Sequence, residues 1–78
     1  MQTFKFKYIR ETMILLTARQ VECLEYLMEG LSSKQIAQNM SLSEETVNEH
    51  IAKAQKKLNA KNRLEAVIQA IKKGIICL

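Results

Sequence analysis

Residues 31–58, LSSKQIAQNMSLSEETVNEHIAKAQKKL, carry two helix starts eleven residues apart. Ser32 is followed three positions later by Gln35, and Ser43 precedes Glu44 and Glu45. A serine at a cap accepts a bond from a free backbone N–H. Gln three positions on can reach back to the cap's own N–H, and early glutamates suit the positive end of the helix dipole. The stretch therefore reads as a short helix over 33–40, a tight turn, and a longer helix over 44–58. In the longer helix Val47, Ile51, Ala54 and Leu58 recur at steps of four, three and four, which is one face. The opposite face is polar and has no core to pack against. That arrangement is a helix-turn-helix.

The same signals extend outward on both sides. Thr17 with Gln20 starts an earlier helix over 18–28, whose apolar face is Val21, Leu24, Leu27 and Met28. Gly30 supplies its left-handed stop. Asn62 with Glu65 starts a fourth helix over 63–73, stopped by Gly74, and Asn59 stops the third. Leu16 with Val21, Leu31 with Ile36 and Leu42 with Val47 are hydrophobic staples across three of the starts. The expected fold is all-α: a four-helix bundle over 16–78 preceded by a short arm, residues 1–15. In the arm Phe4, Phe6 and Tyr8 alternate with Lys5 and Lys7, a strand-like pattern with nothing to pair with. It reads as a linker packing its aromatics on the first helix, with a basic arm in the minor groove as the alternative.

Composition bounds the function. Seventy-eight residues make one domain with a modest core. An apolar content of 47% suits a globular chain, and no run is long enough to span a membrane. No secretion signal is visible, so the chain is expected in the cytoplasm. Cys23 lies within a helical apolar pattern and reads as core, whereas Cys77 is next to last and reads as a free thiol. His50 has no acid, nucleophile or second ligand near it in sequence. Neither catalysis, a metal nor a cofactor is expected. A net charge of +4 favours an acidic partner such as nucleic acid.

On the third helix, at about 100° per residue, Glu45, Glu49, Ala52, Lys53 and Lys56 point away from the apolar stripe. Asn48 lies at one edge of that surface, and Thr46 and Lys57 at the other. Chemistry suggests their roles in a major groove. Asn48 would bond adenine, Glu49 would accept from cytosine N4, and Ala52 would touch a thymine methyl. Lys53 would reach a guanine edge or a phosphate. Lys56, Lys57, Thr46 and Lys34 suit phosphates. Part of this pattern has a plainer explanation. Acidic residues early and lysines late suit any helix dipole, and Glu49 with Lys53 is a favourable i,i+4 pair.

Several motifs stand together: Leu16-Thr17-x-Arg19, Glu29-Gly30-Leu31-Ser32, Lys34-x-Ile36-Ala37, Ser43-x-x-Thr46-Val47-x-x-His50, Lys57-Leu58 and Arg63-x-Glu65-Ala66-Val67-x-x-Ala70. Over residues 16–76 the chain resembles the LuxR/GerE-type DNA-binding domain. The resemblance implies a four-helix domain of a bacterial transcription regulator, with double-stranded DNA as partner. It implies that the third helix reads the major groove through Asn48, Glu49, Ala52 and Lys53. Thr46 and Lys34 would hold the backbone, and the fourth helix would make a dimer. Positions 48, 49 and 52 often include Lys or Arg in this family, whereas here they are Asn, Glu and Ala. Sigma-factor promoter-recognition regions share a similar motif, but His50 and the fourth helix favour the LuxR type.

The fourth helix supports pairing independently. Ala66, Val67 and Ala70 fill core positions, which leaves Leu64, Ile68, Ile71 and Ile75 as a second apolar stripe. A symmetric homodimer through that stripe is the expectation, and the alternative cover is the arm, residues 4–15. Met1 and the arm favour a free-standing regulator; in a longer protein a sensor or receiver domain would be the partner. The rival function is a protein-interaction module whose Glu45/Glu49 face binds and modulates another regulator.

Overall fold

The computed structural model describes residues 16–78. The expectations for the arm, residues 1–15, lie outside the described residues. Four helices follow in order: α1 (Ala18–Met28), α2 (Ser33–Met40), α3 (Glu44–Lys57) and α4 (Arg63–Lys72). Every start is capped by the residue expected. Thr17 and Ser32 close full capping boxes with Gln20 and Gln35. Ser43 accepts from the Thr46 N–H and Asn62 from the Glu65 N–H. One detail differs. The Glu65 carboxylate accepts from the Lys61 N–H, one residue before the cap, so this start has no reciprocal box.

All four helices also end alike. A residue with positive φ follows the last turn, and the N–H after it reaches back five positions to a carbonyl. The bonds run from Leu31 to Tyr26, Leu42 to Ala37, Ala60 to Gln55 and Ile75 to Ala70, at 3.1, 3.0, 2.9 and 2.8 Å. This is the Schellman closure, which satisfies carbonyls that the helix leaves open. Gly30 (φ 93°), Asn59 (φ 55°) and Gly74 (φ 73°) hold three of the turns. Ser41 (φ 56°) holds the fourth, inside the helix-turn-helix.

The core has two apolar clusters that meet along α3. Cys23, Ile36, Ala37, Met40, Val47 and Ile51 join α1, α2 and the first half of α3. Leu24, Ala54, Leu58, Ala66, Val67, Ala70 and Ile76 join α1, the end of α3, and α4. Each staple pair lies within one cluster or packs on it. Cys23 is fully buried, and its thiol donates to the Met40 thioether at 3.7 Å. Burial pushes this thiol's pKa up; Glu22 adds to the rise and Arg19 opposes it.

Buried Gln20 ties α1 to α3. Its Oε1 accepts from the Thr17 N–H at 3.0 Å and from Lys57 Nζ at 3.1 Å. The Lys57 ammonium thus reaches α1, because the last turn of α3 packs there.

The α4 stripe is also redistributed. Leu64 and Ile68 are 70% and 40% exposed. Ile71 and Ile75 are half-buried and pack against the core. Ile75 follows Gly74, where the chain leaves the helix and folds back to bury Ile76, so the helical wheel no longer applies to it. Beside Leu64 and Ile68 runs an open apolar groove of about 430 Å³, completed by Leu27, Met28, Val67 and Leu78. No helix among the described residues is long and apolar enough to cross a membrane.

Candidate nucleic-acid interface

The outer face of α3 is built by subtraction. Val47, Ile51 and Ala54 are buried, so Glu45, Glu49, Ala52, Lys53 and Lys56 must face outward, and all five are exposed. Among the described residues neither Lys53 nor Lys56 forms an ion pair, and Glu49 and Lys53 do not join as an i,i+4 pair. The charges separate along the axis. Glu44, Glu45 and Glu49 occupy the first half of α3, and Lys53, Lys56 and Lys57 the second.

Thr46 sits half-buried at the start of α3. Its hydroxyl oxygen accepts from Ser43 Oγ at 2.8 Å, which leaves its own proton for an outside acceptor. Lys34 is exposed near the start of α2. It follows Ser33, whose hydroxyl donates to Asn48 Oδ1 at 2.7 Å, so the start of α2 is tied to the second turn of α3.

Asn48 is the site residue whose surroundings depart most from expectation. It is half-buried, and a second donor, Arg63 Nη2, reaches its Oδ1 at 2.6 Å. Arg63 Nη1 donates to Ser33 Oγ at 2.7 Å, which closes a ring of three hydrogen bonds. Bidentate bonding to adenine needs the asparagine oxygen as an acceptor. Here that oxygen already accepts from two donors within the chain, one for each lone pair. Sequence reasoning missed Ser33 and Arg63 because the ring joins the starts of α2 and α4 to the second turn of α3, positions far apart in the chain. The edge position of Asn48 on the wheel was the available hint.

Among the described residues no group of three or more His, Cys, Asp or Glu is gathered to hold a metal. Four capped helices with a short α2, a tight turn and an α3 that keeps a polar face outside the core define a helix-turn-helix DNA-binding domain. Residues 14–70 match the family model described as bacterial regulatory proteins, luxR family. The chain belongs to that family, which is one of transcription regulators and not of enzymes. It is 40% identical over 60 residues to the spore germination protein GerE of Bacillus subtilis (strain 168), covering 77% of this chain and 81% of GerE. It is 47% identical over 62 residues to the transcriptional activator protein VanR of Vibrio anguillarum, covering 80% of this chain. The solved structure of the transcription factor GerE superposes with a TM-score of 0.73 at 32% identity, covering 76% of this chain and 88% of that one. The chain spans 26% of the length of VanR and 30% of that of the DegU regulator from Brevibacillus brevis.

Proposed function

We propose that this domain regulates transcription by laying α3 in the major groove of a specific DNA site, as a dimer paired through α4. The observation that carries the groove reading is the outer face of α3: exposed along its length, with Lys53 and Lys56 unpaired among the described residues. Its charge separation also orients it. Phosphates would repel Glu45 and Glu49, so the first half of α3 belongs among base edges, where a carboxylate can accept from cytosine N4. Lys53 and Lys56 then fall near the phosphates at the other end, with Lys34 and the Thr46 hydroxyl on the backbone beside the helix starts. Exposed Leu64 and Ile68 next to an apolar groove support pairing through α4. Two α3 helices related by a two-fold axis would read two half-sites.

Salt dependence tests the groove reading. Each phosphate neutralised contributes about −0.9 to the slope of log affinity against log salt. Fluorescence anisotropy with a randomised duplex pool at several salt concentrations gives that slope for the wild type and for Lys53→Ala/Lys56→Ala. The expected result is a shallower slope by about 2 in the double variant. No binding by the wild type even at low salt refutes DNA reading and turns attention to a protein partner on the Glu45/Glu49 face.

A further inference from the structure

The ring formed by Ser33, Asn48 and Arg63 determines which end of the Asn48 amide can face outward. Arginine can only donate, and the Ser33 hydroxyl spends its proton on Asn48 while accepting from Arg63. Arg63 needs Oδ1, because a guanidinium cannot accept from Nδ2, so the amide cannot turn over without breaking its bond to Arg63. The Nδ2 group has no partner among the described residues. Position 48 is therefore a donor-only reader. In the major groove guanine offers two adjacent acceptors, N7 and O6, whereas adenine offers N7 beside a donor, N6. A free asparagine matches adenine by using both of its ends, and a locked one cannot.

We infer that Arg63 and Ser33 lock Asn48 as a hydrogen-bond donor, so that position 48 selects guanine over adenine. This inference rests on the reading of α3 in the major groove. Arg63 acts here as a positioning residue: it sets a base preference at the second turn of α3 from the start of α4.

The test is site selection from a randomised duplex pool, followed by anisotropy titration of the selected duplex and its single-base variants. Asn48→Ala identifies the base that position 48 reads, as the one whose preference flattens. There the wild type favours guanine over adenine by on the order of tenfold. Ser33→Ala/Arg63→Met frees the amide, and the guanine-to-adenine ratio falls to about one or reverses, because an amide free to turn matches adenine bidentately. A general loss of affinity or of fold stability would leave that ratio unmoved. Arg63→Lys keeps a donor and retains the preference. Asn48→Asp keeps both internal bonds but presents an acceptor outward, and guanine preference disappears without removing Arg63. The inference is overturned if the wild type prefers adenine at that base, or if Asn48→Ala alters no position. An unchanged ratio in Ser33→Ala/Arg63→Met overturns it too. Each of these outcomes leaves groove reading intact, whereas a wild type that binds no duplex at low salt removes both.

Discussion

Ser41 should be the easiest residue in the chain to improve. It sits at φ 56° and ψ 44° in the turn between α2 and α3. An L-residue in that conformation costs roughly 1–2 kcal/mol, because its Cβ crowds the following carbonyl oxygen. Glycine removes the crowding but adds about 0.4–1 kcal/mol of unfolded-chain entropy. Ser41→Gly is therefore expected to stabilise the domain by about 0.5–1 kcal/mol. For a chain of this size that raises the melting midpoint by about 2–8 °C. The side chain confuses nothing, since it is exposed and its hydroxyl has no hydrogen-bond partner among the described residues. Gly30→Ala is the mirror experiment. A Cβ at Gly30 would meet nothing within 4 Å, so its effect is the backbone penalty at φ 93° alone. It should destabilise by about 1 kcal/mol. Thermal and urea unfolding followed by helical circular dichroism measure both variants. A Ser41→Gly midpoint at or below that of the wild type, or two shifts of the same sign, would refute the argument from backbone strain.

Four further outcomes are expected. Leu24→Ala should lose about 2–5 kcal/mol, because Leu24 is fully buried between α1, α3 and α4; a loss below 1 kcal/mol in urea titration would mean the site collapses. Cys77 is exposed and should react rapidly with a thiol reagent, whereas Cys23 should react only on unfolding. The raised Cys23 pKa also makes stability fall as pH rises above the ordinary thiol value of 9.0, since the unfolded chain then loses this proton more readily than the folded one. Cys23→Ala should flatten that fall, and an unchanged slope would assign it to other groups. Light scattering should give the wild type twice its 9.0 kDa chain mass and Ile68→Lys the single mass; a single mass for both ends the α4 dimer.

What the sequence made legible was local, and the reason is physical. Thr17, Ser32, Ser43 and Asn62 bond N–H groups three residues away, so each start is written in four consecutive residues. Glycine marks two of the stops, and periodicity locates Val47, Ile51, Ala54 and Leu58 in the core. The third and fourth helices end one residue earlier than expected, at Lys57 and Lys72, within the fraying of any helix end. Ser41 gave no warning, since serine signals a start far more often than a left-handed stop. The rest depended on distance in the chain. Lys57 meets Gln20 across 37 positions and Arg63 meets Ser33 across 30. A helical wheel has no place for such partners, so it put Asn48 on a surface without showing what held it there. It also left Ile75 on the stripe of α4 although the chain has turned by that point.

The placement of α3 between two apolar clusters has a consequence for binding. Its start is fixed by Ser43, its end by the Asn59 turn, its first half by Val47 and Ile51, and its second half by Ala54 and Leu58. Folding has thus already given up the conformational entropy that a helix assembled on its target must surrender at the moment of contact. Much of the contact energy then goes into affinity rather than ordering. A preorganised α3 should associate without a slow conformational step, leaving exchange between sites to be governed chiefly by how fast each complex falls apart.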